Sequence, residues 1–248
     1  MSRRAPSQLP LSGQTALVTG ASAGIGRASA VALAQAGAKV VATGRRKAEL
    51  DALAKECGKN AVEPVAGDIN DAGFVADLAR RAGAVDILLT NAGILKYAPL
   101  MDMTDEECEA MFRTNVLASI RVCQAAARSM IERRRGHIIV MTSIAAREVY
   151  QLGAIYCATK FALSAIARSL RIELQGFGIK VTEIAPGMVD TNIRATSDHP
   201  RFLEALKMRK FGPLTAEEVA QAVVYAATAG PNLCPDFIEL RPKGSATV

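Results

Sequence analysis

The chain has 248 residues, half of them hydrophobic, and it carries a formal net charge of +6. The apolar fraction is ample for a globular core, while an aromatic fraction of 4% leaves few side chains on which nucleic-acid bases could stack. Five scattered cysteines, two distant histidines and the lack of a long apolar run argue against a disulfide framework, a zinc site and a membrane span. We therefore expect a cytoplasmic protein that binds no nucleic acid, no metal and no membrane.

Short runs rich in β-branched residues alternate with longer alanine-rich segments of helical period. Such alternation is typical of repeated βαβ units, whose parallel strands are covered by helices. We predict an α/β fold, a single-domain Rossmann-type doubly wound parallel sheet with helices on both faces, spanning residues 1–248 with residues 1–12 flexible. The predicted strands lie in the runs TALVTG, KVVATG, AVEPVAGD, DILLTNAG, GHIIVMTS, KVTEIAPG and DFIEL.

A glycine-rich turn, TGASAGIGR, follows the first predicted strand. Glycine lets the backbone turn sharply and lets a pyrophosphate approach the amides at the start of the next helix. A plain tight turn is the alternative, but the position after the first strand of a doubly wound sheet favours a dinucleotide site. The predicted cofactor contacts in this turn are Gly20, Ser22, Ala23, Gly24, Ile25 and Gly26.

The turn after the second predicted strand carries arginines and no acidic residue. Gly44 occupies the place where an NAD site presents Asp or Glu, and Arg45 and Arg46 follow it. Guanidinium groups match the geometry of a 2′-phosphate. A basic cap on a surface turn is the alternative, a stronger competitor for Arg46 than for Arg45. The sequence therefore predicts NADP(H) as the cofactor in preference to NAD(H).

The stretch AIYCATKFAL places Tyr156 and Lys160 four residues apart, so on a helix they share one face. Such a pair can mark only the edge of a buried helical face. Alternatively, Lys160 lowers the pKa of Tyr156 from its usual value near ~10 toward neutrality, which makes the phenol a proton donor and acceptor. Tyr150 has no lysine four places on, and we expect it in the wall of the substrate pocket.

Together these motifs resemble those of the classical short-chain dehydrogenases/reductases, over nearly the whole chain. The motifs that carry the resemblance are the GxxxGxG turn, Asn91-Ala92-Gly93 after the fourth strand, Asn115, Ser143 thirteen residues before Tyr156, the Tyr156–Lys160 pair, and Pro186-Gly187 after the sixth strand.

The resemblance implies an oxidoreductase that interconverts a carbonyl and an alcohol by hydride transfer. It implies that Tyr156 exchanges the proton, that Lys160 binds the nicotinamide ribose and favours the tyrosinate, and that Ser143 binds the substrate oxygen. Asn115 would position a water in the proton relay. Taken singly, Ser143 and Asn115 would be assigned turn or capping roles.

The resemblance also implies cofactor contacts further along the chain. Asp68 and Ile69 would bind the adenine, although Asp68 alternatively caps the next helix. The remaining implied contacts are Asn91, Ala92, Gly93, Tyr156, Lys160, Pro186, Gly187, Val189 and Thr191.

Residues 187–215 form the least regular stretch of the chain and are predicted to be a substrate lid. The substrate site would be walled by residues 94–97, 144–154 and 188–211. Five basic residues could bind a carboxylate or an acyl carrier there, or could be solvated instead. They are Arg147, Arg194, Lys207, Arg209 and Lys210.

The substrate class stays open at this point. A general ketone, a 3-oxoacyl carrier, and a 3-hydroxy acid or serine-type alcohol all suit the motifs. A non-catalytic NADP(H)-binding regulator is the alternative from another class. The resemblance further implies a homodimer or homotetramer.

Overall fold

The structure is a computed structural model that describes residues 9–58, 60–195, 197–208 and 211–245 of the chain. Within these residues, seven strands form one sheet in which all neighbouring strands run parallel. The strands are β1 (Thr15–Thr19), β2 (Lys39–Gly44), β3 (Val62–Ala66), β4 (Ile87–Thr90), β5 (Gly136–Met141), β6 (Ile179–Pro186) and β7 (Phe237–Leu240).

The strands lie in the order β3-β2-β1-β4-β5-β6-β7 across the sheet. The chain therefore winds outward from β1 in one direction, returns at β4, and winds outward in the other. This confirms the predicted doubly wound parallel sheet, and each predicted strand run overlaps one of the seven strands. Ligands of such sheets bind beyond the carboxyl ends of the strands, near the point where the winding reverses.

Helices follow or precede each strand. A π-helical segment, Phe112–Leu117, joins the fourth and fifth helices. The α-helices in the described residues are α1 (Gly24–Gln35), α2 (Lys47–Cys57), α3 (Ala72–Ala82), α4 (Asp105–Met111), α5 (Ala118–Arg133), α6 (Ala154–Leu174), α7 (Pro200–Lys207) and α8 (Ala216–Ala227).

Two apolar cores lie on opposite faces of the sheet. Helices α3, α5 and α6 contribute buried residues such as Val122 and Leu163 to one core. Helices α1, α2 and α8 contribute residues such as Leu33 and Val223 to the other. Since the inner strands are covered on both faces, their sequences read as continuous apolar runs. The helices thus lie on both faces of the sheet, as predicted.

The segment predicted to be flexible, residues 1–12, is described from residue 9 onward. Leu11 is fully buried, and its amide donates a hydrogen bond of 2.9 Å to the carbonyl oxygen of Ala36. This hydrogen bond joins the segment before β1 to the end of α1. Residues 1–8 lie outside the described part of the chain.

No helix in the described residues is both long and apolar enough to cross a membrane. In the same residues, no group of three or more His, Cys, Asp and Glu side chains is arranged to hold a metal ion.

Asp86 ties three parts of the fold together just before β4. Its carboxylate accepts a hydrogen bond from the Thr15 amide (3.0 Å) and from the guanidinium groups of Arg133 (2.8 Å) and Arg135 (2.7 Å). Burial opposes ionisation of the carboxyl, but these hydrogen bonds outweigh it and hold the pKa of Asp86 below its usual value.

We expect Asp86→Asn to lower the free energy of unfolding at pH 7 by about 2 kcal/mol, because three donors lose a charged acceptor. A carboxyl whose folded pKa is depressed adds stability above its unfolded pKa, and that stability is lost as the pH falls through the folded value. The difference from the unchanged chain should therefore shrink below about pH 4. Denaturant unfolding at pH 7 and pH 3 measures it.

Asp77→Asn is the control, since Asp77 pairs only with Arg80 in the described residues and its side chain is 71% exposed. An Asp86→Asn deficit of the same size at both pH values would contradict the electrostatic explanation.

Candidate active site

Two adjoining cavities open at the carboxyl ends of the strands. One is a cleft of about 650 Å³ that runs past the turns after β1, β2, β3 and β4. The other is a cavity of about 410 Å³ between the ends of β5 and β6, α7 and the C-terminal segment. We call them the cleft and the substrate cavity. The predicted cofactor residues that line the cleft are Gly20, Ser22, Ala23, Gly24, Ile25, Arg45, Arg46, Asp68, Ile69, Asn91, Ala92, Gly93 and Thr191.

The glycine turn after β1 has the backbone that its sequence predicts. Gly20 and Gly24 adopt φ angles of +67° and +52°, which other residues rarely adopt. Gly26 lies behind the turn and does not line the cleft; a Cβ there would stand 2.4 Å from the Gly20 carbonyl oxygen. Ala23 makes no side-chain cap at the start of α1, so the first backbone amides of this helix remain available to an anionic ligand.

A hydrogen-bond network fixes the turn to the end of β4. The amides of Asn91 and Ala92 donate to the Thr19 hydroxyl at 3.0 and 3.1 Å, and the Asn91 side-chain amide donates to the Thr19 carbonyl oxygen at 3.0 Å. Thr19 belongs to the recognised motif, but the sequence analysis assigned it no role. Its partners lie about seventy residues away, so no local pattern shows the contact.

Arg46 lies against the glycine turn. Its guanidinium donates to the Ser22 hydroxyl and the Ser22 carbonyl oxygen, both at 3.1 Å. Although Arg46 immediately precedes α2, its side chain does not cap that helix. Arg45 is exposed and also lines the cleft. Both arginines stand at the cleft, and these contacts fit the predicted 2′-phosphate site as well as the alternative of a basic cap on a surface turn.

Asp68 lines the cleft but does not cap a helix. Its carboxylate accepts hydrogen bonds from the backbone and side-chain amides of Asn70 at 2.9 and 3.0 Å. Asp71 caps α3 instead, accepting from the amides of Gly73 (2.7 Å) and Phe74 (3.2 Å). The capping alternative for Asp68 is wrong. Its place in the cleft wall is compatible with the predicted adenine contact.

Tyr156, Lys160 and Ser143 meet in the substrate cavity. Tyr156 and Lys160 lie one turn apart on α6, and Ser143 follows β5. The Lys160 ammonium donates to the Met141 carbonyl oxygen at 3.1 Å and lies 5.7 Å from the centre of the Tyr156 ring. The Ser143 hydroxyl donates to the Pro186 carbonyl oxygen at 3.3 Å. The structure thus brings together three side chains that the sequence predicted to act together.

The pKa of Tyr156 moves in the direction opposite to the prediction. Burial raises it well above the usual value, Tyr97 adds to the rise, and a hydrogen bond with Ser143 opposes it. Burial also lowers the pKa of Lys160 from 10.5 to about 8. The predicted depression of the Tyr156 pKa by Lys160 is therefore wrong in this structure, because desolvation outweighs the lowering effects of Ser143 and Arg194. At neutral pH the phenol is protonated and can act as an acid.

Asn115 lies in the π-helical segment and is fully buried. Its side-chain oxygen accepts from the Ile94 amide at 2.8 Å, and its side-chain nitrogen donates to the Ile94 carbonyl oxygen (2.9 Å) and the Thr159 hydroxyl (3.1 Å). π-Helical turns are frequent at functional sites. Here the turn ties the loop after β4 to α6. Thr159 was missed because no local pattern marks its partner.

Three of the basic residues predicted as anion ligands lie in the described part of the chain, and of these only Arg194 lines the substrate cavity. Arg147 lies over the Phe237 ring at 3.7 Å, outside the residues that line the cavity, and Lys207 is likewise not among them. Arg209 and Lys210 lie outside the described residues.

The far wall of the substrate cavity is more polar than the sequence suggested. Tyr150 is in the wall, as predicted, and its hydroxyl donates to the Glu148 carboxylate at 3.1 Å. Arg241, at the end of β7, pairs with Glu148 and with Glu239. The lining residues for which the sequence predicted no part in the site are Met141, Thr142, Arg241, Pro242 and Ser245.

The predicted residues near the sixth strand divide between the two cavities. Pro186, Gly187 and Val189 line the substrate cavity, while Thr191 lines both cavities. Residues 187–215 contain a short helix at Asn192–Arg194 and then α7, whose Phe202 stacks on Tyr97 with 4.6 Å between ring centres.

The chain is similar to known proteins along most of its length. The family model described as short chain dehydrogenase matches residues 14–201. An uncharacterized oxidoreductase of Staphylococcus aureus (strain USA300) is 35% identical over 236 residues, which cover 94% of this chain and 98% of that protein.

Two solved structures illustrate the likeness in fold. The closed form of serine dehydrogenase complexed with NADP+ is 30% identical, with a TM-score of 0.84, and the match covers 95% of this chain and 99% of that one. A 3-ketoacyl-(acyl-carrier-protein) reductase from Brucella melitensis, complexed with NADH, is 27% identical, with a TM-score of 0.83 and coverage of 93% and 98%.

Proposed function

The chain belongs to the short chain dehydrogenase family and is an oxidoreductase, and from that premise we propose that it uses NADP(H) to interconvert a carbonyl and a secondary alcohol. The observation that carries the proposal is the meeting of Tyr156, Ser143 and Lys160 in a cavity next to the cleft. Asn91 and Gly93 line both spaces, so a ligand in the cleft would be in contact with one in the substrate cavity.

The cleft suits a dinucleotide in its shape and in its polar groups. Its volume of about 650 Å³ is in the range of ligand sites. The uncapped start of α1 offers amides to a pyrophosphate. Asp68 and Ile69 line the same cleft and, as the resemblance implies, would bind the adenine. When bound, the nicotinamide would supply or accept the hydride.

The residues of the chain have distinct roles in the proposed reaction. Tyr156 gives its proton to the substrate oxygen in reduction and takes one in oxidation. Ser143 hydrogen-bonds the same oxygen and orients it toward the phenol. Lys160 keeps two of its three N–H donors after bonding to Met141, and these would bind the nicotinamide ribose. Asn115 holds the Ile94 backbone in place beside the site and, as the resemblance implies, would position a water.

The preference for NADP(H) over NAD(H) is proposed on the arginines at the end of the cleft. Arg45 and Arg46 give this end of the cleft two positive charges, and Gly44 stands where an NAD site would present an Asp or Glu. A 2′-phosphate is a strong partner for a guanidinium group, whereas a ribose hydroxyl is not. The NADP+ complex of the serine dehydrogenase is compatible with this assignment, and the NADH complex of the other structure makes a direct test necessary.

We expect Arg46→Ala and Arg45→Ala each to weaken NADPH binding by about 10- to 100-fold, because each removes a charged donor. NADH affinity should change by less than about threefold, since NADH has no phosphate at that position. Titration of nicotinamide fluorescence with each dinucleotide measures both constants.

Lys47→Ala is the matched control, because Lys47 is a cation next to this turn, at the start of α2, whose side chain is 75% exposed and paired with Asp51. Equal losses for NADPH and NADH in the arginine variants would contradict the assignment, and an unaltered chain that binds neither dinucleotide would contradict the proposed function.

Several further features belong to the same proposal. We propose that residues 1–248 act as one unit, that residues 187–215 act as a lid over the substrate cavity, and that the protein works in the cytoplasm as a homodimer or homotetramer.

The alternative function, a non-catalytic NADP(H)-binding regulator, is disfavoured by the buried cluster of Tyr156, Lys160, Ser143 and Asn115. A regulator that only binds the cofactor has no need of these four side chains.

A further inference from the structure

We propose that the substrate carries a carboxylate a few bonds from its reacting carbon, and that Arg194 binds this carboxylate. The inference rests on the proposed function and deepens it by naming the class of substrate. It assigns to Arg194 a part in substrate selection.

Arg194 is held in place by its own loop. It ends the short helix Asn192–Arg194 after β6, is half-buried, and lines the substrate cavity. Its guanidinium donates to the Val189 carbonyl oxygen at 2.6 Å. That bond fixes the orientation of the group and uses one of its five N–H donors. The others remain available for the two oxygens of a carboxylate.

The charge of Arg194 reaches the reacting end of the cavity. It acts on the hydroxyl groups of both Tyr97 and Tyr156, and in each case it works to lower the pKa against the larger effect of burial. Arg194, Tyr97 and Tyr156 line the same cavity, so one small substrate can be in contact with both the guanidinium and the Tyr156 hydroxyl. Among the described residues, no carboxylate forms an ion pair with Arg194, so its charge is not neutralised there.

The other charged groups of the cavity have other partners or positions. Arg241 is paired with Glu148 and Glu239, which leaves it little capacity for a substrate. Lys160 belongs to the proton-transfer site. Arg201 lines the cavity but is exposed, so solvent screens its charge. Arg194 is therefore the best-placed cation for an anionic substrate group.

The position of Arg194 favours a carboxylate over the phosphate of an acyl carrier. Tyr156 must contact the reacting oxygen, so an anion that also reaches Arg194 lies close to the reacting carbon. The phosphate of a carrier arm is many bonds from its thioester carbonyl and would lie outside a cavity of about 410 Å³. A short 3-oxo or 3-hydroxy acid fits this geometry.

The test compares acids with neutral analogues of the same shape. We would measure kcat/KM for reduction of acetoacetate, methyl acetoacetate and the N-acetylcysteamine thioester of acetoacetate, with NADPH, and repeat the series with acids of five and six carbons. The unaltered chain should prefer acids over esters by at least about 10-fold. Arg194→Met should reduce kcat/KM for the acid by about 100-fold, mainly because KM rises. The same substitution should change kcat/KM for the ester by less than about threefold.

Arg147→Met is the matched control, because Arg147 is an arginine near the site whose guanidinium packs on Phe237 outside the cavity lining. It should leave the preference for acids unchanged, and Arg194→Lys should retain part of it. Turnover of the ester by Arg194→Met shows that this variant is folded.

Three outcomes would overturn the inference and leave the proposed function standing. They are equal kcat/KM for acid and ester in the unaltered chain, a preference of that chain for the thioester, and equal losses of kcat/KM on acid and ester in Arg194→Met. Absence of turnover on every probe with either NADPH or NADH would overturn the proposed function, and the inference with it.

Discussion

Replacing Tyr156 with phenylalanine should reduce turnover on the order of 10³-fold or more, while the affinity for NADPH changes by less than about threefold. The substitution removes the hydroxyl that, in the proposed reaction, gives its proton to the substrate oxygen. It keeps the ring, which is nearly buried and packs edge-on against Tyr97 with 6.3 Å between ring centres. Because that packing survives, the cavity and the cleft should keep their shapes.

The measurement is single-turnover reduction of a ketone with bound NADPH, together with a fluorescence titration of NADPH. Tyr225→Phe is the control, since Tyr225 lies on α8 with 55% of its surface exposed. It should leave both quantities unchanged. Near-normal turnover by the Tyr156 variant would contradict the assignment of Tyr156 as the acid.

The direction of the Tyr156 pKa shift bears on how the reaction starts. A phenol whose pKa is raised by burial stays protonated at neutral pH, so the unliganded protein is prepared to donate a proton. Sequence spacing revealed the lysine partner one turn away, but it contains no information on how completely water is excluded. That is why the direction of the shift was predicted wrongly although both residues were identified.

The sheet was predictable because its signals are local. Strands that are buried on both faces are apolar along most of their length, and several are followed by a turn residue such as Gly20 after β1 or Asn91 after β4. The glycine turn was also predictable, since its positive φ angles leave few alternatives to glycine.

The contacts that assemble the site were not predictable from one sequence. Asn115 bonds to Ile94, twenty-one residues earlier, and Glu148 pairs with Arg241, ninety-three residues later. Each partner is an ordinary polar or apolar residue in its own surroundings. Only the order of the strands brings the end of β7 beside the end of β5, across β6, and so places the C-terminal segment in the wall of the substrate cavity.

A second large effect is expected at Lys160, where function and stability should oppose each other. Burial lowers its pKa from 10.5 to about 8, so at neutral pH the native state holds a charged ammonium from which water is largely excluded. This difference of about 2.5 pKa units corresponds to about 3 kcal/mol against folding. A residue that weakens the fold in this way is expected where the charge is needed for function.

We therefore expect Lys160→Met to lower turnover by at least about 100-fold and to weaken NADPH binding, because proton transfer and the ribose contact both lose their donor. At pH 7 the same variant should be more stable by about 2 kcal/mol, after allowance for the lost bond to Met141. For a chain of this length, that gain raises the melting temperature by about 4–8 °C.

The dependence on pH distinguishes this explanation from a general gain in packing. Below about pH 8 the lysine is charged in both the folded and the unfolded chain, so the full penalty applies. As the pH rises toward 10.5, the folded chain releases the proton first, the penalty disappears, and the advantage of Lys160→Met should vanish. Lys47→Met, at an exposed lysine, should show no such trend. Two outcomes would show that the buried charge does not oppose folding. In one, Lys160→Met is less stable than the unaltered chain at pH 7; in the other, its gain in stability is the same at pH 7 and pH 10.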